Sequence, residues 1–322
     1  MKTKTSVISV LVFFISFFFV SFLCAEPAEP IHLKDNLFGV DFVNETHGWA
    51  VGYYGTIIHT SDGGKTWTYQ NSGKEKLLTS LDFVNPYNGW VVGYGPTILH
   101  TTDGGKAWSE QKTAEDVFLT SVHFVNEKKG WAVGEWGTIL YTENGGEKWE
   151  TQLTGDDAIL YDLDFSDEFH GWAVGEFGTI FYTEDGGKTW VNQPSGVENV
   201  FFGCDALDNE NVWLAGIDSM VLRTRDGGKT WEQVNTGIKE VFPFYDICFH
   251  DQNNGIICGQ GFVMYTEDGG SSWYSSQVNS NISYIWLYGI ANSSSGATWM
   301  VGERGKIFKS ISNGKGWEEI SY

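Results

Sequence analysis

The sequence predicts an all-β fold, a seven-bladed β-propeller of four-stranded antiparallel blades. Three observations predict it. One phrase, clearest in Thr60-Ser-Asp-Gly-Gly-Lys-Thr-Trp67 and Thr183-Glu-Asp-Gly-Gly-Lys-Thr-Trp190, recurs seven times, closing at Trp67, Trp108, Trp149, Trp190, Trp231, Trp273 and Trp317. The spacings are 41, 41, 41, 41, 42 and 44 residues, a period at which one unit is too small to bury its own apolar face and must stack on its neighbours. Each unit holds four short β-branched and aromatic runs punctuated by Gly, Asn and Asp, and no helical periodicity follows residue 25. Seven such units make seven radial blades.

The elements follow in order. In Met1 to Ala25, Lys2 and Lys4 precede an uncharged apolar run from Val7 to Leu23, and Leu23-Cys24-Ala25 precedes Glu26. This is the shape of a secretory signal, so the rest of the chain is expected to be exported, periplasmic or extracellular. An uncleaved anchor would leave it on the outer face of the same membrane. Residues 26–36 read as a linker and 37–322 as the propeller, with repeats at about 37–70, 78–111, 119–152, 160–193, 201–234, 244–277 and 288–320. Within a repeat, strand A has the form Leu37-x-x-Val40-x-Phe42, strand B Gly48-Trp-Ala-Val-Gly52 and strand C Gly55-Thr-Ile-Ile-His-Thr60; the closing tryptophan begins strand D. The Asp-bearing turn between C and D has a mechanical reading. Its Asp and Thr side chains can bond backbone amides, a glycine supplies the positive-φ position, and its Trp packs between sheets. A calcium loop would need a bidentate acid at a set spacing, which is missing. No terminal strand is visibly exchanged between the first and last repeats, which leaves ring closure open; without such a strand it would depend on packing alone, with residues around Ile31 to Leu33 available to contribute.

Composition narrows the function. A net charge of −21 repels nucleic acid and anionic lipid, and suits solubility or a cationic partner. Cys204, Cys248 and Cys258 are an odd set beyond the signal, and Cys204 and Cys258 replace apolar repeat residues, so buried thiols are expected rather than a disulfide framework. The seven histidines show no ligand spacing, and no nucleophile elbow occurs. Neither metal nor cofactor is expected, and the chain is expected to be a monomer.

Function is sought where the copies differ. Of fifteen tryptophans, seven close the repeat and six occupy strand B, which leaves Trp136 and Trp286. Both fall on one face of a propeller, where B-to-C turns and D-to-A connections emerge together. The partner-binding residues expected there are Tyr53, Tyr54, Tyr94, Glu135, Trp136, Glu176, Phe177, Phe262, Trp286, Glu303 and Arg304, a collar of aromatics and carboxylates around the channel mouth. Large rigid side chains of this kind bring contact area at low entropic cost.

A hydrolase is the rival class, since the Asp-bearing turn is shared with sialidases and other propeller glycosidases. A three-arginine clamp is excluded by position, because Arg223 and Arg225 sit roughly 15 Å along the strand direction from Arg304. Paired carboxylates are the alternative, with Glu135, Glu176 and Glu303 on matching turns of different blades.

Gly-Trp-Ala-Val-Gly, then Gly-Thr-Ile-Leu or Gly-Thr-Ile-Phe, then Thr-Glu-Asn-Gly-Gly-Glu-Lys-Trp in 130–149 and Thr-Glu-Asp-Gly-Gly-Lys-Thr-Trp in 171–190, resembles the photosystem II stability and assembly factor family, whose Asp-box (BNR-type) propellers have many relatives in non-photosynthetic bacteria. The resemblance covers nearly the whole chain beyond the signal. It implies a non-catalytic propeller outside the cytoplasmic membrane that holds a membrane-protein precursor or other exported partner during assembly. Photosynthetic members are associated with an arginine-rich patch, whereas this chain has only Arg223, Arg225 and Arg304. What carries over is the fold and the scaffold class, with a protein or a glycan as partner.

Overall fold

The computed structural model describes residues 33–152, 154–239, 241–294 and 296–322; residues 1–25, expected to be a signal, and most of the expected linker lie outside the described residues. Seven antiparallel sheets follow one another along the chain. The A strands are Leu37–Phe42, Leu78–Phe83, Leu119–Phe124, Leu160–Phe165, Phe201–Ala206, Phe244–Phe249 and Leu287–Asn292, and they line a central channel. Each B strand is buried throughout. The D strands at the rim are mostly exposed.

Aromatic stacking joins the blades. The strand-B tryptophan of one blade lies face to face with the phenylalanine ending strand A of the next: Trp49 on Phe83 at 3.7 Å, Trp90 on Phe124 at 3.5 Å, Trp131 on Phe165 at 3.7 Å and Trp213 on Phe249 at 4.4 Å between centroids. The closing tryptophan of the second blade meets the same ring edge-on, as Trp67 does in the first and Trp149 and Trp190 do in the third and fourth. Stacked and edge-to-face pairs are the favoured arrangements of ring quadrupoles. Where the fifth blade has Ala206 in place of phenylalanine, Trp172 packs in a cluster with Ala206, Val212 and Leu214 instead.

The Asp-bearing turn has the mechanical role expected of it. Thr60 Oγ1 donates to Asp62 Oδ1 (2.9 Å) and accepts from Gly64 N (2.9 Å), while Asp62 accepts from Thr66 N (2.9 Å) and Thr66 Oγ1 (2.6 Å). Burial opposes ionisation of Asp62, but these hydrogen bonds outweigh it and hold the carboxyl below its usual range. The second glycine of the turn is a matter of space as well as of positive φ. A Cβ on Gly64 would come within 2.2 Å of the Trp299 ring. In the last blade Ser310 and Ser312 make the turn without an aspartate.

Ring closure rests on packing. Blades one and seven share a core of Leu37, Val40, Phe42, Trp67, Trp299 and Ile307, against which Leu33, Ile320 and Tyr322 pack. Lys309 Nζ reaches Gly63 O at 3.3 Å. The sequence does not announce one feature: Gln277–Val278, in the connection leaving the sixth blade, pairs in parallel with Gly316–Glu319 and makes the seventh sheet five-stranded. Cys204, Cys248 and Cys258 are free and buried.

Candidate functional site

The B-to-C turns and D-to-A connections share one face of the disc, because the turn amides bond the connection carbonyls: Tyr53 N to Asn36 O (3.2 Å), Gly55 N to Lys76 O (2.6 Å), Gly178 N to Asn199 O (2.7 Å). These bonds hold each turn in a fixed three-residue shape whose tip is left-handed. Tyr54, Trp136, Phe177, Asp218 and Arg304 occupy the tips at φ 56°, 60°, 57°, 61° and 59°. The left-handed conformation costs an L-residue roughly 1–2 kcal/mol, and the second and sixth blades carry Gly95 and Gly261 at the same place. The backbone therefore has no need of a large side chain there. Packing gives no reason either, since Tyr54, Trp136 and Phe177 are 70%, 67% and 72% exposed.

The collar carboxylates have a different role from the tips. Glu135, Glu176 and Glu303 each accept a backbone hydrogen bond at 3.2 Å from the connection entering their own blade, from Phe118, Ile159 and Trp286 respectively. Each is held against its own blade's entrance. Among the other expected residues, Phe262 is half-buried between Phe242 and Phe244, both at 5.3 Å. Tyr94 is exposed, with Lys76 Nζ 5.2 Å above its ring. Trp286, 39% exposed, stacks on Tyr245 at 5.8 Å. Arg304 is an exposed tip whose backbone amide donates to Asn36 Oδ1 at 3.1 Å. Arg223, by contrast, lies over Trp213 and is paired with Glu232.

A second set of residues stands at the channel itself. Strand A skips one residue in its register with strand B near its start, between Leu37 and Gly39 in the first blade and at the matching place in every other. Bulges of this kind re-aim side chains, and here the second, third and fifth residues of the strand line the channel. At the second position Tyr161, Phe202, Tyr245, Tyr288 and Phe38 follow one another across five blades with successive centroids 5.1, 5.5, 5.3 and 4.8 Å apart. Tyr53 extends the arc at 4.9 Å from Phe38. The arc stops at Thr79 and Thr120, whose hydroxyls donate to Leu119 O and Leu160 O of the following blades.

Deeper in the channel stand Asp41, Asp82, Asp162, Asp164, Asp205 and Asp246. Each accepts an amide of the following blade, as in Asp41 from Phe83 N (2.8 Å), Asp162 from Cys204 N (2.8 Å) and Asp246 from Ile290 N (2.7 Å). Burial pushes Asp41 and Asp162 up to about 7, assisted by Asp82 and Asp164 respectively. The other four are raised as well, burial again being the main cause. These residues fall on the unspecified positions of Leu37-x-x-Val40-x-Phe42, and the signal that marks them is the variation of aromatics and acids at those positions from copy to copy.

The sequence profile of the family described as "Photosynthesis system II assembly factor YCF48" matches residues 27–114, 70–155, 151–241 and 237–322. Among solved structures, one described as "YCF48 bound to D1 peptide" superposes with a TM-score of 0.74 at 20% identity, covering 88% of this chain and 94% of that one. YCF48 from Cyanidioschyzon merolae gives 0.72 at 20% identity, over 87% of this chain and 97% of that one. A GH74 enzyme from Niastella koreensis gives 0.71 at 14% identity, over 89% of this chain and 54% of that one. At these identities the likeness to solved structures shows the fold. No curated protein matches the chain.

Proposed function

Because the chain belongs to the family described as Photosynthesis system II assembly factor YCF48, we propose that it is an exported, non-catalytic binding scaffold that holds a segment of a protein partner against the face bearing the B-to-C turns. The observation that carries the reading is the display of Tyr54, Trp136 and Phe177 at left-handed tips where the same turns elsewhere use glycine. Strain that the fold does not require is a mark of a functional surface, and exposed aromatics are the residues that most often anchor an interface. A solved propeller of this fold described as bound to a D1 peptide supports a peptide as the form in which a partner is presented. The non-catalytic part of the reading is supported by Glu135, Glu176 and Glu303, each engaged with its own blade's backbone.

The test is a crosslinking capture from the native envelope fraction, with the wild type beside a variant carrying Tyr54→Gly, Trp136→Gly and Phe177→Gly. Saturable capture of a defined membrane or exported protein by the wild type alone supports the scaffold. Equal capture by both places the partner elsewhere. The GH74 likeness keeps one rival open: exposed aromatics also suit sugar rings, and a glycosidase reading predicts glycan turnover that is lost in Glu135→Gln or Glu176→Gln.

A further inference from the structure

The five strand-A rings of the aromatic arc at the channel mouth are not among the collar residues read from the sequence, and the carboxyl groups beneath them exceed what the fold requires. An interblade amide needs an acceptor and no charge. At the third position of strand A, the first, fifth and seventh blades have Gly39, Gly203 and Gly289, and at the fifth position the sixth and seventh have Cys248 and Ala291. The ring is closed with and without the acids. Among the described residues lining the channel, the one base is His123, 3.4 Å from Asp164. Six carboxyl groups thus face a cavity of about 490 Å³, inside the roughly 300–1,000 Å³ range of ligand pockets, with little positive charge beside them, and a cationic group entering the cavity would favour their ionised forms.

The mouth adds a second, independent element. Tyr161, Phe202, Tyr245, Tyr288 and Phe38 form a curved row of rings on the same face as the left-handed tips. Ring faces attract ammonium and guanidinium groups, and the carboxylates below offer charge-assisted hydrogen bonds to the same groups. Building on the reading of this face as the partner-binding surface, we propose that the channel mouth receives a lysine or arginine side chain of the partner's segment, its stem against the aromatic arc and its charged head among the channel aspartates. The tips hold the segment, and the channel selects a basic residue within it.

The experiment is fluorescence anisotropy of the full chain with labelled (Gly-Arg)4, and with (Gly-Gln)4 and (Gly-Glu)4 as counterparts. Two channel variants are compared with the wild type: Asp162→Asn with Asp246→Asn, which keeps the amide acceptors, and Tyr245→Leu with Tyr288→Leu, which keeps apolar bulk and removes the ring faces. Glu184→Gln with Glu210→Gln, exposed on the opposite face, changes the formal net charge as much as the aspartate pair does. We expect saturable binding of the arginine probe alone, weakened about tenfold in each channel variant, as loss of ~1.4 kcal/mol of contact would produce, and unchanged in the exterior one. Thermal midpoints establish that the variants are folded; should the aspartate pair fail to fold, the leucine pair decides. The proposal is overturned if the exterior variant weakens binding as much as the channel variants, if folded channel variants bind like the wild type, or if no saturable binding occurs. The two readings fail separately. Loss of partner capture in the tip variant with the channel variants still capturing would leave the scaffold standing and remove the channel's role, whereas channel-dependent probe binding without any partner capture would do the reverse.

Discussion

Trp299 of the last blade lies face to face with Phe42 of the first, their centroids 4.2 Å apart and their planes 4° from parallel. The same stack joins blades that are consecutive in the chain, as in Trp49 on Phe83. At the closure it joins the two ends of the propeller, with Lys309 Nζ 4.5 Å from the centre of the Trp299 ring. Trp299→Ala should therefore destabilise by about 3–5 kcal/mol, the usual cost of emptying a large aromatic site. Trp136→Ala, at an exposed tip, should change stability by no more than about 0.5 kcal/mol. Chemical denaturation of both variants checks the pair, and a similar loss in each would contradict the division of the tryptophans.

The second glycine of the Asp-bearing turn sits under that stack. Gly64→Ala should cost several times what Gly73→Ala does, although both positions have positive φ, +81° and +68°. A Cβ at 64 meets Trp299 and one at 73 meets nothing within 4 Å. Gly73→Ala should cost roughly 1–2 kcal/mol from the left-handed backbone alone. Equal thermal shifts would show that φ decides and space does not.

Asn144 stands in the third blade where other blades have aspartate, and it keeps the bonds from Thr142 Oγ1 (2.9 Å) and Lys148 N (3.0 Å). Asp62→Asn should accordingly cost less than Asp62→Ala, which orphans several donors at about 1–3 kcal/mol. Urea midpoints of the two variants separate these outcomes.

Stability should rise on acidification from about pH 8 to about pH 5. The channel carboxyls have folded values above the unfolded 3.8, with Asp41 and Asp162 at about 7, so the stability they contribute is fully present below the unfolded value and is lost as pH rises through the folded one. His59, lowered to about 4 by burial and then by His47, and His100 and His250, lowered mainly by burial, act in the opposite sense as pH falls below 6.5. Six carboxyls outnumber three imidazoles, which leaves a net gain. At lower pH the trend reverses, as Asp62 and its equivalents, and Asp167 at about 2, lose the hydrogen bonds that favour their ionised forms. Thermal midpoints at constant ionic strength trace the curve, and a midpoint falling steadily from pH 8 to pH 5 would refute it.

The fold was legible because its strongest signals are periodic. Gly48, Trp49, Phe42 and Trp67 recur since five of the seven blade junctions repeat one stack, and a recurring contact leaves a recurring letter. The face of the disc was legible for the same reason, whereas the mode of ring closure was left open. The channel was not. Phe38, Tyr161 and Asp162 fall at positions where the copies disagree, and only the skipped residue in strand A shows that they line the channel. A bulge has no sequence mark when its extra residue is not glycine. The contacts of Phe262 and the collar glutamates were not legible for a related reason: a turn position gives the face of the disc but not the hydrogen bond that turns a side chain inward, such as Ile159 N to Glu176.

The central claim is that Tyr54, Trp136 and Phe177 are held at left-handed tips for a partner and not for the fold. The measurement that tests it most directly pairs the thermal midpoint with saturable partner capture in the Tyr54→Gly, Trp136→Gly, Phe177→Gly variant. The account predicts a midpoint equal to or above that of the wild type, because glycine relieves the backbone strain, together with loss of capture. A markedly lower midpoint, or capture that survives intact, would contradict it.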